Sequence, residues 1–284
     1  MSVVAVRIVV GVIAIAIIGA VGFIVNFRLH DEAAFIDADR VDHGPPPASL
    51  GLPKADISLV TGDGVRLAAW EIPPDGPESA PFWIIHFHGN ASNLTTPGYA
   101  ESYAALHRLG VGVLAVEYRG FGKSEGTFGE AGFYRDAEAA YRYLTETRKI
   151  PPERTVLYGF SLGSGVAVEL ATVEPVAGVI LEGAYTSIRD TAQESYPLVP
   201  IPLFLADRLN TLARIASVSA PKLFIHATND TTVPISHGRV LFAAALGQKT
   251  FLEVPGEHAT AYKTDAKTFY DGIASFLAGL PKGG

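Results

Sequence analysis

The sequence predicts an α/β fold with a mostly parallel central sheet. Strand-like apolar runs alternate with helical stretches from about residue 80 to the end of the chain. One of these runs, "PFWIIHFHG" (81–89), is almost continuously apolar, as a strand covered on both faces must be. Ahead of them, "ADISLVT" and "VRLAAWEI" alternate apolar and polar residues around Asp63-Gly64, which reads as an antiparallel hairpin.

The elements follow in order. After the hairpin (55–72) and the strand at 81–89, "TPGYAESYAALHRLG" (96–110) is a helix stopped by Gly110. "VGVLAVEY" (111–118) is a strand and "EAGFYRDAEAAYRYLTETR" (130–148) an amphipathic helix. "RTVLYGF" (154–160) is a strand, "GSGVAVELATV" (163–173) a helix and "VAGVILEGA" (176–184) a strand. "PKLFIHATND" (221–230) is a strand followed by a helix over 236–246. "KTFLEVPG" (249–256) is the last strand, and a single helix over 259–280 closes the chain. Connections between parallel strands are expected to be right-handed.

Three segments stand outside this alternation. Residues 8–25, "IVVGVIAIAIIGAVGFIV", carry no charge and are bracketed by Arg7 and Arg28. As a helix these 18 residues span about 27 Å, close to the hydrocarbon core of a bilayer. Residues 1–27 therefore read as an N-terminal transmembrane anchor. The competing reading is a signal peptide, with Ala14, Ala16, Gly19 and Ala20 imitating a cleavage site. One arginine on each side sets orientation weakly. The α-amino group, with Asp31 and Glu32 beyond the span, favours an extracytoplasmic domain. Residues 28–54 read as a polar stalk stiffened by Pro45-Pro46-Pro47, with Phe35 and Ile36 as a pair able to dock on the domain. Residues 185–216 interrupt the βα pattern with three prolines and dense apolar residues. The excursion leaves from a strand's carboxyl end, where α/β sheets bind ligands, and reads as a short lid or pocket wall. The catalytic domain is thus expected over 55–284.

Composition narrows the function. The chain has 284 residues, a formal net charge of −7 and no basic run, which argues against a nucleic-acid partner. It has no cysteine, which removes disulfides, thiolate metal sites and a cysteine nucleophile.

Two serines fit the G-x-S-x-G pattern of a nucleophile elbow, Ser124 in "GKSEG" and Ser161 in "GFSLG". An elbow needs a strand directly before the serine and a helix directly after it. The helix N-terminus then stabilises negative charge at the turn. Ser161 has both neighbours. Ser124 has neither, since loop residues flank it on both sides. A serine nucleophile needs a histidine base and an orienting carboxylate, in this fold in the order Ser, acid, His. His258, after the last strand, fits the base better than His226, inside a strand, or His237, at a helix start. Asp230, at a strand's carboxyl end, fits the acid. Glu182, at the end of the preceding strand, is the fallback or a carboxylate supporting the pocket wall. The oxyanion hole needs the N–H of Leu162 and a second donor from "HFHGNASN", where Gly89 permits close approach and Asn90 supplies the N–H. His88 in that loop reads as structural. His86 and His88 find no third ligand of suitable spacing, so no metal or other cofactor is expected.

Together "DGVRLAAW", "HGNASN", "EYRGFGKSEG", "GFSLGSG", "TNDTTVP" and "GEHA" resemble the successive motifs of the α/β-hydrolase superfamily over about residues 55–280. They are most similar to its small, lid-poor, often membrane-anchored serine hydrolases, a group that includes protein depalmitoylases and lysophospholipase-like enzymes. The resemblance implies an α/β-hydrolase fold, nucleophile Ser161, acid Asp230, base His258 and oxyanion donors Asn90 and Leu162. It places Ser124 on a loop near the pocket as a bystander. Glu117, where such proteins often carry Asp or Asn, and Glu257 beside the histidine are departures that remove no catalytic group.

The expected function is hydrolysis of carboxylic esters or thioesters of acyl or lipid substrates through an acyl-enzyme. The competing functions are an amidase or peptidase on the same triad, with Glu182 or Glu194 holding a substrate amine, and a non-catalytic membrane-tethered interaction protein.

Overall fold

The computed structural model describes residues 3–29, 31–75 and 82–281. Residues 1–2 of the expected anchor, His30 of the stalk, Pro81 at the head of one expected strand and residues 282–284 lie outside them. Eight strands form one sheet: β1 (Ala55–Val60), β2 (Arg66–Ile72), β3 (Trp83–Phe87), β4 (Gly112–Val116), β5 (Thr155–Phe160), β6 (Gly178–Glu182), β7 (Lys222–Ala227) and β8 (Lys249–Val254). Their spatial order is β1-β2-β4-β3-β5-β6-β7-β8. The β1–β2 and β2–β4 pairs are antiparallel and every later pair is parallel. This is the sheet of an α/β-hydrolase fold.

The core strands β3, β4, β6 and β7 are buried at every position, which is why their sequences run apolar without alternation. Where β3 meets β4, Trp83 pairs with Gly112, and its indole occupies the space a Gly112 side chain would need. Helices cover both faces: α2 (Tyr99–Arg108), α3 (Glu130–Arg142), α4 (Leu162–Val173), α8 (Ile235–Ala244), α9 (Ala261–Thr264) and α10 (Ala266–Gly279). The closing helix is not single. Asp265 leaves helical geometry at φ −136°, and its side chain accepts from the Thr268 N–H at 3.1 Å, capping a new helix.

The N-terminal helix α1 (Val3–Leu29) contains an apolar span, Val10–Arg28, none of which is buried. Among the described residues it is the one helix long and apolar enough to cross a membrane. The chain beyond it lies against the domain. Asp31 is 1 % exposed and accepts from the Ala206 N–H and from Arg208 Nε at 2.7 Å. Ile36 is buried in the core on one side of the sheet. The excursion at 185–216 folds as α5 (Ile188–Ser195), α6 (Ile201–Phe204) and α7 (Thr211–Ile215). The helix α6 touches α1 through an edge-on contact of Phe204 with Phe27.

Candidate active site

Three loops at the carboxyl ends of β5, β7 and β8 meet at one point. The β5–α4 turn carries Ser161 at φ +50°, ψ −116°, a left-handed backbone that few side chains tolerate. Gly159 and Gly163 make the turn possible. A methyl group on Gly159 would run into the Gly163 carbonyl, and one on Gly163 into the Phe87 carbonyl of β3. The strained residue is held because its N–H donates to the Glu182 carbonyl at 2.9 Å. The Ser161 carbonyl in turn accepts from the Ser164 N–H at 2.9 Å, which starts α4.

The β8–α9 loop brings His258 in from 97 residues away. Its Nε2 lies 2.8 Å from Ser161 Oγ. Its Nδ1 lies 2.6 Å from Asp230 Oδ2, on the β7–α8 loop. The other oxygen of Asp230 accepts from the Thr232 and Val233 N–H groups at 3.0 and 2.8 Å, so the carboxylate cannot rotate away. The Asp230 side chain is fully buried and that of His258 is 14 % exposed. Gly183, at φ +56°, lies against the imidazole where a Cβ would crowd it. The arrangement can move a proton from Ser161 to His258 and hold the resulting imidazolium.

The β3–α2 loop completes the site. Gly89 passes so close that an added methyl would stand 3.5 Å from Ser161 Cβ. Asn90 follows it, and Leu162 opens the first turn of α4, where helical N–H groups have no partner within the helix. His88 is fully buried. Its Nδ1 is 2.8 Å from the Gly89 carbonyl and its Nε2 is 2.9 Å from Glu117 Oε1. Glu117 Oε2 accepts from the Leu94 N–H at 3.0 Å, so these two residues brace the loop from beneath. His86 faces Tyr103 OH at 3.2 Å, and burial pushes its pKa down to about 3.

Several supporting contacts have no local sequence signal. The Asn90 side chain points away from Ser161 and into the chain that follows α1. Its Nδ2 donates to the Phe35 carbonyl at 2.6 Å and its Oδ1 accepts from the Asp37 N–H at 2.9 Å. The Ala91 N–H donates to the Asp37 carbonyl, and Asn93 Nδ2 donates to Asp39 Oδ2 at 2.9 Å and the Val41 carbonyl at 2.8 Å. Tyr99 OH accepts from the Gly89 N–H at 3.1 Å. These partners are 10 to 55 residues apart, beyond the reach of periodicity.

A cavity of ≈ 360 Å³ opens beside Ser161, lined among others by Asn90, Tyr99, Phe160, Glu182, His258 and Tyr262. Glu182 is its one carboxylate among the described residues, and Tyr158 OH donates to it at 2.6 Å. Burial raises the Glu182 carboxyl to about 7, against the opposing pull of Tyr158 and His258. None of residues 185–216, the segment that the sequence marks as a short lid or pocket wall, lines this cavity. Glu194 lies elsewhere, 3.2 Å from His237 Nε2. His226 is a core residue, its Nε2 2.8 Å from the Val233 carbonyl. Ser124 is buried, donating to the Glu117 carbonyl and accepting from the Ala68 N–H, both at 2.9 Å.

Comparison with known proteins agrees with this architecture. The sequence model of the serine aminopeptidase S33 family matches residues 82–214. The chain is 37 % identical over 237 residues to the Mycobacterium tuberculosis protein Rv2307c, covering 82 % of this chain and 83 % of that protein. It is 32 % identical over 250 residues to the α/β-hydrolase domain-containing protein WAV2 of Arabidopsis thaliana, covering 81 % and 80 %. The fold is shared with the Pyrococcus furiosus esterase Pf2001, at a TM-score of 0.72 and 20 % identity over 86 % of this chain and 99 % of that one. With 80 % or more of both relatives aligned above 30 % identity, on a sheet that follows the hydrolase order strand by strand, the chain belongs to the α/β-hydrolase superfamily.

Proposed function

We propose that this protein is a membrane-anchored serine hydrolase that cleaves carboxylic ester or thioester bonds through an acyl-enzyme. The observation that carries the reading is the line from Ser161 Oγ to His258 Nε2 and from His258 Nδ1 to Asp230, set on a turn strained at Ser161. Ser161 Oγ attacks the acyl carbonyl and its proton passes to His258. Asp230 holds the Nδ1–H and stabilises the imidazolium. The tetrahedral oxyanion accepts from the N–H groups of Leu162 and Asn90. Collapse expels the alcohol or thiol, protonated by His258. Water then attacks the acyl-enzyme, with His258 as base, and the carboxylic acid leaves. The chain's own residues supply every group, with no cofactor or metal. In this reading α1 is an uncleaved anchor, residues 28–54 link it to the domain, and the domain stands outside the cytoplasm.

The S33 description of the matching family favours a second reading, an aminopeptidase on the same triad. An aminopeptidase needs an ionised carboxylate to hold the substrate ammonium. Glu182 is placed in the cavity for that, yet burial raises its pKa to about 7, against the opposing bond from Tyr158, and leaves it half neutral at pH 7. Ester cleavage needs no such anchor and fits the cavity better.

The test is labelling of the detergent-solubilised protein with a fluorophosphonate probe, beside Ser161→Ala and Ser124→Ala. Labelling is expected in wild type and Ser124→Ala and absent in Ser161→Ala. An unlabelled wild type, or a labelled Ser161→Ala, overturns the mechanism. Turnover of p-nitrophenyl esters against amino-acid p-nitroanilides then separates the two readings.

A further inference from the structure

The excursion at 185–216 has a surface that the Ser161 site does not use. Residues 195–206, "SYPLVPIPLFLA", carry no charge. Soluble surfaces rarely leave such a run open, yet Leu198 is 96 % exposed, Tyr196 62 % and Leu203 53 %. The run sits at the end of the apolar span of α1. Phe204 meets Phe27, in the last turn of that span, with ring centroids 6.1 Å apart. Between them lies a cavity of ≈ 420 Å³ walled by Phe23, Phe27, Phe35, Tyr196, Val199 and Phe204. One apolar surface therefore runs from the membrane helix onto the domain.

We propose that residues 196–204 rest in the lipid leaflet from which α1 emerges, so that the domain touches the bilayer at two places. The assignment rests on reading α1 as an uncleaved anchor. Two further observations favour lipid over a protein partner. First, most of the backbone donors of the run are satisfied without water or absent, which suits an apolar solvent, where an unpaired N–H or C=O costs several kcal/mol. Pro197, Pro200 and Pro202 have no N–H to satisfy. The N–H groups of Val199, Ile201 and Leu203 donate to the Tyr196, Val199 and Pro200 carbonyls. Gln193 Nε2 reaches over the turn to the Tyr196 and Val199 carbonyls at 3.2 and 3.0 Å. Second, charges return where the run ends. Arg189 pairs with Asp207 at 3.0 Å, and Arg208 pairs with Asp31 and Glu32 at 2.7 and 3.4 Å. Apolar tip, Tyr196 at its flank and ion pairs at its base follow the polarity profile of a membrane interface.

The test uses the full chain in phosphatidylcholine vesicles with and without brominated acyl chains. Leu198→Trp reports the tip. Val173→Trp is the control, 68 % exposed at the C-terminal end of α4, by the amino ends of the strands and outside the 195–206 run. The native Trp70 and Trp83 are buried, at 6 % and 2 % exposed, and give a constant background. Flotation with the vesicles establishes the anchor in each case. The expected result is blue-shifted emission of Leu198→Trp that brominated lipid quenches, with Val173→Trp red-shifted and unquenched. Unquenched, red-shifted emission from floated Leu198→Trp overturns the proposal. Blue-shifted but unquenched emission also overturns it, placing the run against protein, a second copy included. Failure to float overturns the anchor reading itself.

Discussion

Ser124 and Ser161 share a local pattern and differ in what their hydroxyls bond. The Ser124 Oγ is used up between the Glu117 carbonyl and the Ala68 N–H, joining the carboxyl end of β4 to β2. The Ser161 Oγ faces an imidazole and a cavity. Ser124→Ala should therefore cost about 1–3 kcal/mol of stability, read as a lowered denaturant midpoint, because it orphans two backbone groups. Fluorophosphonate labelling of the folded fraction should stay at the wild-type rate. Glu182 gives a prediction of opposite sign. Its carboxyl keeps a proton up to about pH 7 in the fold, but unfolds to an ordinary value near 4.5. Between those values unfolding releases a proton, so the fold loses stability as pH rises through the window. Glu182→Gln should match wild type at pH 5 and exceed it by roughly 1–3 kcal/mol at pH 8, at about 1.4 kcal/mol per pKa unit. Melting temperatures at the two pH values check this, and an unchanged difference between them rejects it.

The β3–α2 loop shows what one element requires of another. It supplies the proposed second oxyanion donor, and its shape is set by chain more than 50 residues earlier. Asn90→Ala keeps the backbone N–H and removes only the tie to Phe35 and Asp37. Misplacing an oxyanion donor by a fraction of an ångström costs rate, because only the transition state carries the charge it stabilises. Ester turnover should fall about tenfold to a hundredfold in kcat with KM little changed. A rise in KM alone would mean that the side chain serves binding and not the oxyanion. Here the limits of the sequence are physical. Strands such as β3 and β4 are legible because burial on both faces leaves an apolar run. Ser161, Asp230 and His258 are legible as strand-end residues because the parallel sheet gathers those ends. The Asn90 clamp and the Glu182–Tyr158 bond are not, because pairing across the fold leaves no periodic trace. The path of residues 185–216 toward α1 is equally hidden, since the same apolar prolines would suit a pocket wall.

At the scale of the molecule, the contacts of residues 31–43 set where the folded unit begins. Composition alone places that boundary near Ala55, where the alternating pattern starts. The contacts tie residues 31–43 to that domain. Ile36 fills a core position, Asp31 holds Arg208, Glu32 accepts from the Glu130 N–H at 2.8 Å, and the Gly122 N–H donates to the Asp39 carbonyl at 2.8 Å. Burying an isoleucine is worth about 1.5–3 kcal/mol and each hydrogen bond about 1 kcal/mol. These contacts offset the entropy of ordering the segment, and with a net margin of roughly 5–15 kcal/mol a domain is sensitive to losing them. A chain starting at Asp31 should therefore melt within a few degrees of the full protein in the same detergent and label at a similar rate. A chain starting at Ala55 should melt well below both. It should also label at least about tenfold more slowly at a temperature where it is folded, because Asn90 and Asn93 lose the partners that hold the loop. Equal labelling by the two truncations would make the segment a passive tether. Slow labelling by the shorter one alone would show that the chain leaving the membrane is part of the catalytic unit.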